Sequence, residues 1–308
     1  MRDFAATTTT AVWPGWAQNL SANPDVIVVG AGSAGLAAAR RLIAAGKTVV
    51  VLEAGDRIGG RAWTENDTFG LPFDRGCSWL QGRRNHPYLQ MARDWGFDLL
   101  NHGNAGEAFF VGGERGTSAQ VRKYLEAYDA VESLVYGAGA KGKDLPASTV
   151  IPADLGYAGT AGTWIGAMDF GVDLKDLSTM DYARFGSVEG DYLVREGFGT
   201  VVARFGAGLP VKLNTPVTGI DWSGDGVAVE TPAGTLRAST CVVTVSTGVL
   251  NAGKIRFAPA LPEWKQAAIH NLPMGLLAKI PLQFDGERFG LRANQWLTYR
   301  VPEQMPAE

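Results

Sequence analysis

The sequence predicts an α/β fold that contains a parallel sheet, and three observations lead to this prediction. The run 25–30 is short and continuously apolar after its first residue, as in a strand buried on both faces of a sheet. An Ala- and Leu-rich segment, 33–45, follows it and ends at Gly46, a typical helix stop. A second apolar run, 48–53, comes next. Such a β-α-β unit, about 30 residues long, requires parallel strands joined by a right-handed crossover.

Periodicity predicts the remaining elements. Apolar residues at helical spacing indicate amphipathic helices, and a period of two between glycine turns indicates short antiparallel strands. The predicted helices are 85–96, 124–136, 199–207 and 262–271. The predicted strands are 211–213, 217–222, 227–231, 235–237 and 276–284. The apolar run 241–245 is expected to return to the buried sheet.

Composition is that of a globular protein and excludes several functional classes. Hydrophobic residues make up 46% and charged residues 19% of the 308 residues, and the formal net charge is −3. No basic stripe favours nucleic acid. Cys77 and Cys241 cannot build a disulfide framework, and the three histidines lack metal-ligand spacing, so we expect no metal. The most apolar stretch, 25–54, is interrupted by Arg40, Arg41 and Lys47 and is not predicted to span a membrane.

Residues 1–23 are interpreted as a leader. The start Met1-Arg2-Asp3-Phe4 is similar to the tail of a twin-arginine export signal that lacks its first arginine, and no proper apolar region follows it. A disordered leader is the alternative. The localisation therefore stays open between the cytoplasm and export to the periplasm.

The glycine motif Gly30-Ala31-Gly32-Ser33-Ala34-Gly35 lies between the first predicted strand and the first helix. Gly30 permits the turn, Gly32 allows close approach of a pyrophosphate, and Gly35 allows the helix to pack on the strand. Phosphates are favoured at a helix N-terminus by free N–H groups and by the helix dipole. Glu53, at the end of the second strand, is the acid expected on a ribose hydroxyl. The sequence thus predicts a dinucleotide site.

The residues after Glu53 extend this motif. Ala54-Gly55-Asp56-Arg57-Ile58-Gly59-Gly60-Arg61 contains an R-x-G-G-R stretch directly after the ribose acid, and here the chain resembles the flavin-containing amine oxidases. That family includes monoamine, polyamine and L-amino-acid oxidases and lysine-specific histone demethylases. The resemblance implies FAD as cofactor, with Ala54, Arg57, Gly60 and Arg61 among its ligands. Arginines suit phosphate because they are planar, always charged donors. A solvated surface position is the alternative for Arg57.

The segment 73–82 is similar to the family's stretch beside the flavin ring. The resemblance implies that Ser78 and Trp79 lie near the isoalloxazine, and a position in the core is the alternative. Arg75 and Gln81 depart from residues common in the family. We interpret Cys77 as a buried small residue rather than a covalent flavin attachment.

The stretch 195–284 resembles the family's middle block. Val217 matches the position whose backbone meets the adenine end of the cofactor. The segments 195–200, 244–250 and 255–262 also match, although Ser246 replaces a proline that is usual in the family.

Lys279, in the predicted strand 276–284, matches the family lysine that holds a water at flavin N5. A lysine within an apolar strand is costly unless its charge is paired or its pKa falls. A strand-edge lysine whose ammonium group reaches solvent is the alternative. The resemblance implies oxidation of an amine C–N bond: hydride passes to the flavin, the imine hydrolyses, and O₂ reoxidises the flavin to give H₂O₂. The partners are then a small-molecule amine and O₂.

The full prediction is an α/β protein in which a GR2-like Rossmann-type FAD-binding domain, with a parallel sheet, is interleaved with an α+β substrate domain. Residues 24–84 and 195–252 form the FAD-binding domain in this prediction. Residues 85–194 and 253–308 form the substrate-binding domain, which is incomplete. Trp164, Phe170 and Tyr182 are candidates to line the substrate pocket, and core positions are the alternative.

The resemblance covers about residues 24–290, and the family normally continues beyond that point. We expect a second chain or a missing C-terminal segment to complete the fold and to cover an apolar face. One alternative function is a non-catalytic or partner-dependent flavoprotein fragment or subunit. Another is a flavoenzyme like the carotenoid desaturases or protoporphyrinogen oxidase, which would not be expected to share the context of Lys279.

Overall fold

The computed structural model describes residues 23–82, 86–103, 105–186 and 190–301. They form two compact units. The first unit contains the described residues up to Thr64 together with Gly199–Pro273, and the second contains those of Glu65–Phe198 together with those from Met274 onward. Apart from residue 23, the predicted leader lies outside the described residues. The assignment of FAD to one domain and of substrate to the other stays a prediction.

The described residues form both strands and helices, many of them in runs of one kind. The strands are β1 (Val26–Val29), β2 (Val49–Leu52), β3 (Thr64–Glu65), β4 (Phe73–Asp74), β5 (Trp79–Gln81), β6 (Leu99–Asn101), β7 (Gly106–Val111), β8 (Glu114–Arg115), β9 (Asp191–Val194), β10 (Val211–Lys212), β11 (Gly219–Asp221), β12 (Val227–Thr231), β13 (Gly234–Ala238), β14 (Thr240–Val243), β15 (Arg256–Ala258) and β16 (Gln295–Tyr299). The α-helices are α1 (Ser33–Ala44), α2 (Pro87–Asp94), α3 (Ser118–Ala140), α4 (Ala158–Gly162), α5 (Thr179–Phe185), α6 (Phe198–Gly206), α7 (Thr247–Asn251) and α8 (Glu263–His270). A 3₁₀ turn (Ala147–Val150) and a π-helical turn (Thr163–Met168) join helices of the second unit.

The first unit contains the predicted parallel sheet, in the order β10-β2-β1-β14. Val26 of β1 is paired with Val49 of β2 on one side and with Thr240 of β14 on the other, and all three ladders are parallel. Every residue of β1 and β2 is buried, which explains their continuously apolar sequence. The β-α-β prediction and the return of 241–245 to the sheet are therefore confirmed.

A second sheet of the first unit has the order β13-β12-β11-β15. Its β11–β12 and β12–β13 ladders are antiparallel, which confirms the strands predicted at 217–222, 227–231 and 235–237. The strand predicted as antiparallel at 211–213 instead pairs in parallel with β2, so its predicted direction is wrong. Ile220 and Val229 of this sheet share one hydrophobic core with Ile27 and Leu52 of the parallel sheet. The apolar faces of both sheets thus stabilise the unit together.

The second unit combines two small sheets with helices. The sheets have the orders β5-β9-β6 and β16-β7-β8. The long helix α3 begins with a capping box, in which Thr117 and Gln120 each bind the other's backbone N–H. Val131 and Val135 of α3 are fully buried and pack with Ile165 in one core. The predicted helix 124–136 is therefore part of a longer one.

The strand predicted at 276–284 is wrong. This segment has no regular secondary structure and pairs with no described strand. Leu276 and Ile280 are 84% and 85% exposed. An apolar run becomes a strand only where a neighbouring strand offers its backbone groups and a core receives its side chains, and the sequence pattern alone contains neither condition.

Candidate active site

The glycine motif forms a closed turn between β1 and α1, within the first unit. Gly30 has φ +102°, a conformation that favours glycine, and its N–H donates to the Leu52 carbonyl at 2.8 Å. A Cβ placed on Gly35 would lie only 1.9 Å from the Gly30 carbonyl oxygen. The helix therefore packs on the strand at a distance that only glycine permits, as predicted.

The N-terminus of α1 faces this turn and suits an anion. Gly32 is the N-cap residue, and because it has no side chain it cannot bind the N–H groups of the first turn. The R-x-G-G-R stretch lies beside it, since Gly59 N–H donates to the Ala31 carbonyl at 2.8 Å. A Cβ on Gly60 would lie 3.1 Å from Gly32 Cα. A cradle of glycine backbone at a helix N-terminus fits the pyrophosphate of a dinucleotide.

Glu53 connects the end of β2 to the glycine turn. Its Oε2 accepts the Ala31 N–H at 2.7 Å, and its Oε1 accepts the Gly55 N–H at 2.8 Å. Each carboxylate oxygen keeps a further lone pair, so the predicted bond to a ribose hydroxyl is compatible with this geometry. In the structure, the Glu53 carboxylate already fixes two backbone amides by accepting their hydrogen bonds.

Arg57 binds the loop that contains it. The guanidinium donates to the Gly60 carbonyl at 2.8 Å and to the Ile58 carbonyl at 3.2 Å, and it lies 4.4 Å from the centre of the Trp63 ring. Arg57 is half-buried, so it is not the solvated surface charge that was the alternative. Ala54 and Arg61 are exposed. Contact of these residues with a cofactor stays a prediction.

Val217 lies in the same unit, close to Glu53 along the fold. Its side chain is 8% exposed and belongs to the core of the two sheets. The Thr215 N–H donates to the Glu53 carbonyl at 2.8 Å, which brings the backbone before Val217 to the end of β2. The first unit thus brings together the glycine motif, the acid, the R-x-G-G-R stretch and Val217.

Lys279, in the second unit, turns its ammonium group inward. The Nζ donates to the Asp74 carbonyl at 3.0 Å, to the Gly76 carbonyl and to Ser78 Oγ. Its three N–H donors therefore have three protein acceptors. Burial lowers the pKa of Lys279, and the negative charge of Asp74 opposes this shift. The alternative, in which the ammonium group of Lys279 reaches solvent, is wrong, because this group donates hydrogen bonds to the loop 74–78 instead.

Trp79 lies beside Lys279 and anchors an aromatic cluster. The Lys279 Nζ is 5.3 Å from the Trp79 ring centre, and the Trp79 ring stacks on Trp296 at 5.7 Å. The Trp79 indole N–H donates to His102 Nδ1 at 3.1 Å. The structure thus brings the predicted residues Ser78, Trp79 and Lys279 together. Sequence reasoning missed His102 and Trp296, because no motif marks residues that meet only after folding.

The three pocket candidates separate into two groups. Trp164 packs edge-on against Trp296 at 5.2 Å, and its N–H donates to Thr298 Oγ1 at 3.0 Å. Phe170 and Tyr182 contact each other at 5.6 Å and pack at the edge of the core of α3. Trp164 therefore belongs to the aromatic cluster, and the other two side chains contribute to the core.

Negative charge accumulates beside these aromatic residues. Burial of its carboxyl, together with the charges of Asp191 and Glu132, raises the pKa of Asp169 to about 6, although the residue as a whole keeps solvent contact. Burial, followed by the charge of Asp169, also raises the pKa of Tyr128 to about 12. A buried carboxyl group with negative charges nearby favours a cation that would neutralise it.

The two cysteines differ in environment. Cys77 is exposed, so the prediction that it is a buried small residue is wrong. Cys77 lies in the loop between β4 and β5, where the Asp74 and Gly76 carbonyls and the Ser78 hydroxyl, and not the Cys77 thiol, accept the hydrogen bonds of Lys279. Cys241 on β14 is half-buried, and burial raises the pKa of its thiol to about 11.

Fold and turn together define a Rossmann-type protein built around a β-α-β unit with a glycine turn, the type of unit that binds dinucleotides in this fold class. The family model for flavin containing amine oxidoreductases matches residues 33–155 and 176–303. This chain therefore belongs to the flavin-containing amine oxidoreductase family, which implies a flavin cofactor. Across the described ranges, no helix combines the length and apolar composition that crossing a membrane requires.

Comparisons with individual proteins agree with this assignment. The chain is 33% identical over 286 residues to lysine-specific histone demethylase 2 of Homo sapiens, covering 85% of this chain and 35% of that protein. It is 32% identical over 289 residues to polyamine oxidase 4 of Oryza sativa subsp. japonica, covering 85% of this chain and 59% of that protein. The chain thus spans between about a third and three fifths of these relatives.

Two solved structures have the same fold. Cyclohexylamine oxidase from Brevibacterium oxydans IH-35A is similar with a TM-score of 0.63 and 26% identity, over 80% of this chain and 63% of that one. Wild-type putrescine oxidase bound to putrescine gives a TM-score of 0.66 at 22% identity with the same coverage, which supports the fold alone.

Proposed function

We propose that this chain binds FAD and forms part of an enzyme that oxidises an amine C–N bond to give an imine and H₂O₂. The observation that carries this proposal is the half-buried Lys279 ammonium, held against the loop 74–78 and the Trp79 ring in a chain of the amine oxidoreductase family. Neither alternative, a desaturase-like flavoenzyme or a non-catalytic flavoprotein, requires a lysine ammonium group to be bound at this place.

The residues of the first unit would hold the cofactor. The glycine cradle and the N-terminus of α1 suit the pyrophosphate, and Glu53 suits the ribose. FAD, when bound, supplies acceptance of hydride from the carbon beside the amine nitrogen and return of the electrons to O₂. The chain itself needs only to bind, orient and control protons.

Lys279 would hold a water for this chemistry. All three of its donors are engaged, so a water on Nζ must replace one acceptor. Two of the acceptors are backbone carbonyls fixed by the chain, whereas Ser78 Oγ can move away by rotation of χ1. We therefore expect Ser78 to be the group that yields, and its hydroxyl to stay close enough to bind that water.

The substrate we propose is an amine with a second positive charge. The support is Asp169, whose pKa is raised to about 6 by burial and by the negative charges of Asp191 and Glu132, so that a cation beside it would be favoured. Relatives of this chain include proteins named polyamine oxidases. A monocationic amine of equal length, compared with its diamine analogue, tests this point through the ratio of their kcat/KM values.

The test of catalysis is Lys279→Met in the flavin-loaded chain. We expect amine-dependent H₂O₂ formation to fall about 100-fold, in the range of lost proton-transfer and positioning effects, while flavin absorbance still co-elutes with the protein. The matched control is Lys265→Met, because Lys265 also lies beside a tryptophan, 4.4 Å from the Trp264 ring, but is exposed. We expect this variant to form H₂O₂ at the unchanged rate.

Three outcomes contradict the proposal in different ways. Absence of bound flavin with excess FAD argues against a complete cofactor site in the 308-residue chain. Bound flavin without turnover of any amine supports the non-catalytic flavoprotein. Full activity of Lys279→Met refutes the assigned role of Lys279.

A further inference from the structure

The Trp79 indole is fixed from several directions in the second unit. Its ring stacks on Trp296 with an interplanar angle of 19° and lies beside the Lys279 ammonium, and its N–H donates to His102. His102 in turn packs edge-on against Trp296 at 4.4 Å. Indole is only a donor, so the N–H bond exists only while its partner accepts.

His102 accepts through Nδ1, and this sets its protonation state. A neutral imidazole with its proton on Nε2 has a lone pair on Nδ1, whereas the imidazolium has an N–H there. His102 is 7% exposed, so its ring cannot exchange the indole for water without a rearrangement. Protonation would place two donors face to face and break the bond.

We propose that His102 is a positioning residue, which holds the Trp79 indole beside Lys279 only while its Nδ1 is unprotonated. As a statement about catalysis, this rests on the proposed amine oxidation, in which Lys279 acts directly. His102 acts through Trp79, whose indole N–H it accepts, while the same indole ring lies beside Lys279. The coupling therefore passes through the indole.

The burial of His102 and the charged groups around it determine the pH at which its Nδ1 becomes protonated. Burial lowers the pKa of His102, and the negative charge of Asp191 on β9 opposes part of this shift. Glu107 on β7 lies opposite Trp296 in the β7–β16 ladder. Tyr299 is the ionisable side chain of β16, and Tyr192 accompanies Asp191 on β9. The strands β5 and β6 contribute no ionisable side chain.

The sign of the effect follows from the direction of this shift. The folded state binds the proton less readily than the unfolded chain, so the contact is complete at neutral pH and above. It is lost as the pH falls from the ordinary histidine value, about 6.5, through the lowered value of the folded state. We expect the rate of the reaction to decrease over this pH range, which we call the acid limb of the rate. The Trp79 indole should lose its fixed position over the same range.

The experiment compares His102→Asn with His102→Leu. The Asn Oδ1 replaces Nδ1 as an acceptor and does not titrate, whereas Leu offers no acceptor. The first readout needs no activity: ¹⁵N–¹H spectra of the indole groups over pH, with the Trp79 signal assigned by its loss in Trp79→Phe. We expect this signal to shift with pH in the wild-type chain and to stay constant in His102→Asn.

The second readout is kcat of the flavin-loaded chain over pH. We expect His102→Asn to keep the wild-type rate at neutral pH and to lose the acid limb. We expect His102→Leu to be about tenfold slower than the wild type at neutral pH, which is the cost of one lost hydrogen bond, and the two rates to converge at acid pH, where the wild type has lost the same bond. The matched control, His86→Asn, changes a half-buried histidine whose pKa burial also lowers, and it should keep the wild-type profile.

The proposal is overturned if the Trp79 indole signal of the wild-type chain does not shift with pH. It is also overturned if this signal still shifts with pH in His102→Asn. An acid limb that disappears in His86→Asn also overturns it. If the chain shows no turnover at all, the proposed function fails, while the indole spectra still decide for or against the role of His102.

Discussion

The glycine turn of the first unit and the lysine cluster of the second unit are held in place by different means. The turn is made by the close backbone approach of Gly30 and Gly35 and by the Glu53 carboxylate, all within one short stretch of sequence. The cluster is made by side chains that are far apart in the chain, since Lys279 meets Ser78 across 201 positions. The difference implies that the turn is sensitive to added atoms, whereas the cluster is sensitive to charge and protonation.

The largest expected effect is that of Gly35→Ala on the turn. The new Cβ would meet the Gly30 carbonyl oxygen at 1.9 Å, so the helix α1 must move away from β1. We expect the free energy of unfolding to fall by about 3 kcal/mol, measured by urea denaturation. The control is Gly46→Ala, where φ is +76° but the new Cβ would meet no described residue within 4 Å besides its chain neighbours, and we expect a loss of about 1 kcal/mol. Equal losses in the two variants would show that backbone conformation, and not close packing, limits this turn.

A smaller effect is expected from Gly32→Ala. This variant distinguishes an effect of the added methyl group on FAD binding from an effect on the stability of the fold. A Cβ there meets only Gly60 Cα, at 3.9 Å, so the unliganded chain should unfold with nearly unchanged free energy. The same methyl group would stand in the cradle at the N-terminus of α1, and we expect FAD affinity to fall about tenfold in a titration. Gly137→Ala on α3, which has no atom within 4 Å, is the control. Unchanged FAD affinity would place the pyrophosphate elsewhere.

The smallest effect tests the charge sensitivity of the second unit. Because the pKa of Asp169 is raised from 3.8 to about 6, its carboxyl group opposes folding increasingly as the pH rises from the first value to the second, and fully above it. Asp169→Asn should therefore stabilise the chain most at pH 8, by less than about 1 kcal/mol since solvent screens the group, and less at pH 5. Thermal denaturation at the two pH values measures this, with the exposed Asp154→Asn as control. A pH-independent gain would show that packing, and not charge, is responsible.

The sequence predicted much of the first unit because its signals are local. A buried strand, a glycine turn, a helix and a second buried strand follow one another from 25 to 53, and each determines its neighbour by chain connectivity. The family resemblance also identified Lys279, whose inward direction the structure then showed.

The prediction was weakest where a residue's state depends on distant partners. The segment 276–284 has the pattern of a strand but pairs with no described strand, and Cys77 has the size of a core residue but is exposed. His102 and Trp296 carry no motif, and their importance follows only from the positions of Trp79 and Lys279.

The sequence by itself therefore determined the β-α-β unit, the glycine turn and the membership of an amine oxidoreductase family, because these depend on short-range sterics and on contiguous motifs. The tertiary structure alone decided which apolar residues are covered, which acceptors surround Lys279 and which nitrogen of His102 binds Trp79. Those properties depend on burial and on hydrogen-bond partners brought from more than 20 to about 200 residues away, and no local pattern of residues specifies them.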